Sequence, residues 1–172
     1  MKKTTRTKLI ATAILMTGFI SASFAQATAT ATATATVVTP ISISKNTDMN
    51  FGNLAVQAGT GGTVVLAPAG TRTSTSGVTL PATAGTVTAA SFTVNGNGSY
   101  TYAITLPTTV TLTHSGGVQT MAASSFTSNP SGTGALSSGT QDIAVGATLT
   151  VAASQLAGVY TSGNFNVTVN YN

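Results

Sequence analysis

The residues able to do acid–base or nucleophilic chemistry are few. Beyond residue 25 the chain carries one histidine, His114, two carboxylates, Asp48 and Asp142, and two cations, Lys45 and Arg72, with no Glu and no Cys. Hydrolysis by a carboxylate pair would need Asp48 and Asp142 to meet, and a secreted hydrolase would need His114 beside one of them in a cleft. Nothing in their spacing brings them together. Serine is abundant, but no Gly-x-Ser-x-Gly elbow presents one as a nucleophile. His114 stands before Ser115-Gly116-Gly117 and reads as a solvated turn histidine at a strand end. Calcium needs several oxygen ligands, so Asp48 would have to recruit carbonyls near Asn46 and Asn50; a turn-stabilising Asp explains it better. The glycines sit between strands, where turns use them, and make no phosphate-binding loop. The expectation is a non-enzymatic protein with no catalytic residues, no cofactor and no metal.

The elements that would have to carry any site are strands. Phe165, Val167, Val169 and Tyr171 share one parity, and Asn164, Asn166, Thr168, Asn170 and Asn172 share the other, the alternation of a half-buried strand. Residues 63–67 and 72–80 end at Pro68 and Pro81. Residues 49–55 contain Phe51-Gly52. Ala90, Phe92 and Val94 alternate, as do Tyr100, Tyr102, Ile104 and Leu106; between them lies Asn95-Gly96-Asn97-Gly98, which predicts a tight hairpin. Val110 and Leu112 follow Pro107, residues 118–128 form another strand, and residues 129–134 form a loop. Ile143, Val145, Leu149 and Val151 make an odd-face series with a bend expected at Gly146. Outside the first 25 residues no helical period appears. Short strands separated by turn signals predict an all-β protein, an immunoglobulin-like antiparallel β-sandwich, with a closed barrel as the alternative.

Residues 1–25 read as a cleaved signal peptide. Lys2, Lys3, Arg6 and Lys8 precede an apolar run over residues 9–20, too short to span a bilayer, and Ser23-Phe24-Ala25 offers a cleavage site. A retained membrane anchor is the rival reading; without cysteine a lipoprotein anchor is excluded. Cleavage would leave 147 of the 172 residues, with Lys45 and Arg72 balancing Asp48 and Asp142 at a formal charge of zero. The basic excess therefore belongs to the signal and gives no basis for nucleic-acid binding, and no transmembrane segment is expected in the mature chain. The expected destination is the periplasm, the cell surface or the exterior. So few charges leave a Thr-, Ser-, Asn- and Gly-rich surface that tolerates contact with copies of itself.

Residues 26–36 alternate Ala and Thr, a low-complexity extension. The odd-numbered alanines continue in phase into Val37, Ile41 and Ile43, so one extended strand would present an apolar face strengthening toward Ile43, with Pro40 on the other face. An Ala methyl adds about 0.8 kcal/mol on burial, against about 1.5–3 kcal/mol for a whole Ile or Val side chain, so Val37, Ile41 and Ile43 would carry such a strand. Equally, they open their own domain over residues 37–172, with the tract a spacer. Asn97-Gly98-Ser99 and Asn166-Val167-Thr168 match the N-glycosylation pattern, but the turn already explains Asn97. Tyr100 and Tyr102 share a parity, either as a sugar-stacking platform or, better, as core beside Ile104 and Leu106.

The segments Asp48-Met49-Asn50-Phe51-Gly52-Asn53-Leu54, Gly62-Thr63-Val64-Val65-Leu66, Phe92-Thr93-Val94-Asn95-Gly96, Val145-Gly146-Ala147-Thr148-Leu149 and residues 158–171 resemble a family of secreted bacterial proteins known as domain of unknown function 4402. The resemblance covers most of residues 41–172 and carries no catalytic signature. The ending, with Tyr171 next to last, is more remotely similar to chaperone–usher pilins and spore coat protein U. That similarity implies a pilin-like or coat-like surface subunit joined to its neighbours or a periplasmic chaperone by β-strand pairing. Val37, Ile41 and Ile43 would be the donor face and Phe165, Val167, Val169 and Tyr171 the acceptor strand. Two departures stand out: many pilins carry a disulfide, and their donor strands are bulkier. The alternative function is a carbohydrate-binding adhesive module with its glycan site on loops 74–77 and 129–134.

Overall fold

The computed structural model describes residues 25–172; the signal-peptide reading falls, but for Ala25, outside them. The chain divides into two units, Met1–Thr36 and Val37–Asn172. Of the first, residues 25–36 are exposed and outside any ladder.

The second unit is all-β, with no helix among the described residues. In chain order its strands are β1 (Ser42–Thr47), β2 (Ala55–Val56), β3 (Gly62–Leu66), β4 (Arg72–Ser76), β5 (Val78–Thr79), β6 (Ala90–Asn95), β7 (Thr101–Thr105), β8 (Thr109–His114), β9 (Thr120–Asn129), β10 (Thr133–Ala135), β11 (Thr140–Val151), β12 (Tyr160–Ser162) and β13 (Thr168–Tyr171). Every pairing is antiparallel. The large sheet has eight strands in the order β1-β6-β11-β9-β8-β12, with β3 and β4 added beside the second half of β11. A second sheet runs β10-β7-β13, and β2 pairs β5.

The long strand β11 organises the molecule. Its first half pairs β6 and its second half pairs β3 on the same side, while β9 follows it on the other. Ile143, Val145, Ala147, Leu149 and Val151 all point inward, as alternation predicts. The expected bend is present as a register shift between Gly146 and Thr148 against β9. Gly146 is required there because a Cβ would collide with the Leu66 carbonyl of β3. The bend and the end-to-end placement of β6 and β3 curl the sheet into half a barrel.

Two apolar cores result. One gathers Val64, Leu66, Met121, Ala123, Leu149 and Val151; the other gathers Phe92, Val94, Tyr102, Ile143, Val145 and Val169 from both sheets. Met49 and Phe126 border both. The solvent face of the large sheet is Thr-rich: Thr109, Thr111 and Thr113 of β8 are exposed, and Thr63 and Thr75 share a 2.7 Å hydroxyl hydrogen bond across β3 and β4.

The hairpin expected at residues 95–98 does not form. β6 belongs to the large sheet and β7 to the small one, so their apolar residues face each other across the second core instead of lying side by side. Gly96 N–H donates to the Gly139 carbonyl, and Gly139 N–H to the Gly98 carbonyl, tying the loop to the β10–β11 turn.

Candidate functional site

The last strand is where the sequence concentrated its assembly residues. Val167 and Val169 are buried, Phe165 and Tyr171 are half-buried, and Asn164, Asn166, Thr168, Asn170 and Asn172 are exposed. Only residues 168–171 join the ladder, opposite β7, with Thr168 facing Thr105 and Tyr171 facing Tyr102. Asn172 N–H donates to the Thr101 carbonyl at 3.2 Å. Hydrogen-bonded pairs alternate along an antiparallel ladder, so Asn170 and Thr168 also bond to β7, and the backbone groups of Val169 and Tyr171 point away from it. β7 is the only strand that pairs with β13 among the described residues. The result is a rim with no further ladder partner among the described residues, with β1 close beside it.

The N-terminal candidates sit close by. Ile43 lies in β1 opposite Val94, and Ile41 and Ile43 pack into the second core with Phe165 and Tyr171 of the same chain. Val37 is 96% exposed and outside any strand, while its neighbour Val38 is half-buried. The continuous odd-residue face read from the sequence therefore breaks. Pro40 supplies no N–H, and the ladder begins only beyond it, at Ser42. Tyr171 ties the two ends of this unit: its hydroxyl accepts from Asn97 N–H at 2.7 Å and donates to the Thr39 carbonyl at 2.9 Å.

The remaining edge strands differ in character. β1 carries Lys45 and a register irregularity, both of which discourage further pairing. β10 and β12 have three residues each. β4 is hydroxyl-rich and uncharged after Arg72.

The groups considered for catalysis make no hydrogen bond to one another. Asp48 pairs with Lys45 at 2.7 Å, exposed, and Asp142 accepts from the Thr93 hydroxyl at 2.6 Å. His114 ends β8; its Nδ1 accepts from Gly116 N–H at 3.0 Å, and its Nε2 donates to the Ala157 carbonyl at 3.2 Å. Its ring meets Tyr160 edge-on with centroids 4.9 Å apart. Both ring nitrogens are thus occupied by the local turns. Among the described residues no three His, Asp, Glu or Cys side chains cluster as metal ligands.

Tyr100 and Tyr102 do not form one platform. Tyr102 is fully buried, donates to Gln141 Oε1 at 2.7 Å, and burial raises its phenol above the ordinary value of 10.0. Tyr100 is exposed and tilts against Tyr171, centroids 5.6 Å apart.

Sequence reasoning missed a polar clamp. The Arg72 guanidinium donates to the carbonyls of Phe51, Asn53 and Ala84. Beside it Asn50 Oδ1 accepts Gly52 N–H at 2.8 Å, so Asn50, not Asp48, stabilises the turn. The Asn-x-Gly spacing was the available signal for that turn; nothing local marked Arg72.

A cleft of about 1340 Å3 is lined by residues from the segments 45–56 and 155–166 and by Phe92, Leu112, Met121 and Phe126 of the large sheet. No helix among the described residues is long and apolar enough to cross a membrane.

No curated protein and no solved structure matches this chain. A family model does match, over residues 41–171, from just before β1 to the end of β13. The stretch it covers contains both cores, the Arg72 clamp and the β13 rim, and on that match the chain belongs to the family described as Domain of unknown function (DUF4402).

Proposed function

We propose that this protein is a non-enzymatic, exported structural subunit of a bacterial surface, pilin-like or coat-like, that joins copies of itself by β-strand pairing. The observation that carries this reading is the rim of β13. Val169 and Tyr171 direct unpaired backbone groups outward from a strand without charge, in a domain with no net charge to hold copies apart. Exposed ladder groups are a template for another strand. The signal-like residues 1–25 support export. The facing of β7 and β13 across the second core from β6 and β11 supports the finer description as an immunoglobulin-like sandwich with a small second layer.

In this proposal the pairing surfaces are taken from the domain itself. Ile41 and Ile43 are built into their own core, so the pairing surfaces are the domain rims, β13 foremost, and residues 26–36 act as a spacer.

Thr168 and Asn170 are exposed on β13, so lysines there leave the inward Val167 and Val169 in place while burdening the rim with charge. The wild-type chain is expected to form oligomers that resist sodium dodecyl sulfate. The T168K/N170K variant is expected to stay monomeric with an unchanged cooperative melt. A wild-type chain that remains monomeric at high concentration, or a double variant that assembles as well as wild type, would refute the proposal.

A further inference from the structure

We infer that residues 26–36 are a modification site, a stalk whose threonines carry O-linked sugars. Thr28, Thr30, Thr32, Thr34 and Thr36 are all exposed in a segment that no ladder occupies. On an extended backbone their alternation would place all five hydroxyls on one side of the chain, about 6.4–6.8 Å apart at two residues per repeat. The neighbours of the first four are Ala, the smallest side chain with a Cβ, and Thr36 stands between Ala35 and Val37, so little beside these hydroxyls obstructs an approaching transferase. None of the five hydroxyls is engaged by a hydrogen bond to the rest of the described chain, whereas the domain's Thr63, Thr75 and Thr93 are bonded.

A second physical argument points the same way. From Gln26 to Thr39 there is no charge, no Gly and no Pro, and Thr and Val favour strands. An exposed, uncharged, alternating segment of that kind is a template for stacking against identical segments unless something interrupts it. Gatekeeping charges are absent from the tract, and a bulky hydrated sugar on every second residue would supply the interruption. It would also hold the tract extended, as in Ser/Thr-rich stalks.

The co-substrate is a sugar activated as a phosphate ester, nucleotide- or lipid-linked. The threonine Oγ1 attacks the anomeric carbon and a C–O glycosidic bond forms. The bond from that carbon to the donor's phosphate oxygen breaks, the phosphate leaves with the electron pair, and the hydroxyl proton passes to a base of the transferase. No oxidant or reductant is involved.

The test is intact-mass and fragment-mass analysis of the full chain purified from the cell that encodes it. The expected spectrum is a ladder of up to five sugar increments mapping to Thr28, Thr30, Thr32, Thr34 and Thr36. Changing all five to Val, isosteric and still strand-favouring, should remove every increment, and changing all five to Ser should retain them. A single unmodified mass for the wild type would overturn the inference. So would sugars confined to sheet threonines such as Thr109, Thr111 and Thr113, or increments that survive the five-fold Val change. The oligomers read out for the rim do not depend on this outcome.

Discussion

Arg72 shows how one charged side chain can serve structure alone. Its planar fork spans three carbonyls from two loops, 51–53 and 84, and the Asn53 contact is 2.7 Å. A lysine offers a point charge and cannot span that geometry. Hydrogen bonds to a charged group are worth about 1.5–3 kcal/mol each and are not additive, so Arg72→Ala should cost about 2–3 kcal/mol, with Arg72→Lys recovering little. In a domain of this size that lowers Tm by about 6–12 °C, measurable by calorimetry. Tyr102 carries a second residue-scale prediction. Its buried phenol loses less free energy neutral than ionised, so its folded pKa lies above the unfolded one. Above pH about 10 the unfolded chain releases this proton while the folded chain keeps it, so the contribution is whole below that pH and is lost as pH rises through the folded pKa. Thermal melts from pH 8 to 11 should show an alkaline fall in stability that is shallower in Tyr102→Phe. An equally steep fall in that variant would assign the effect elsewhere.

At the scale of elements, what the sequence made legible was whatever alternation alone decides. The inward series of β11, the bend at Gly146, and the faces of β3, β6 and β13 follow from period two and from a glycine that must admit a neighbour's backbone. What it hid was partner choice. Asn95-Gly96-Asn97-Gly98 has the chemistry of a hairpin turn, yet β11 takes one edge of β6, and β10 and β13 take both edges of β7. Those competitors lie some 30–70 residues downstream, beyond any local rule. The candidate assembly residues divide the same way: the inward parity of Phe165 to Tyr171 was visible, but the break at Pro40 that strands Val37 in solvent was not. The rerouted loop is itself testable. A Cβ on Gly96 would meet the Tyr171 hydroxyl and lie 2.8 Å from Leu136 Cδ1. Gly96→Ala should destabilise by about 1–3 kcal/mol through overpacking. In a Tyr171→Phe background, which removes the obstructing oxygen, the same change should cost measurably less, a coupling that denaturant titration of the double-mutant cycle would read. Strict additivity would show that the loop does not rest on Tyr171.

At the scale of the whole molecule, the domain gains almost nothing from ion pairing. Its one ion pair, Lys45 with Asp48, is exposed on both sides, with side-chain exposures of 56% and 80%, and such pairs contribute about 0–1 kcal/mol. Stability rests on the two apolar cores and the ladders between residues 42 and 171, all inside the unit Val37–Asn172. The tract before it contributes exposed Ala and Thr and no ladder. Two consequences can be separated in one experiment. Deleting residues 26–36 should leave the denaturant midpoint and its slope unchanged, because no buried surface is lost and the slope follows the surface exposed on unfolding. The same deletion should leave the oligomers proposed for the rim intact, whereas extending it through Ile43 removes the first two residues of β1 and takes Ile41 and Ile43 from the second core, and should lower the midpoint sharply. A midpoint that drops with the short deletion would mean the tract takes part in the fold. An intact midpoint with lost oligomers would move the pairing strand out of the domain and into the Ala-Thr segment, leaving β13 as its acceptor.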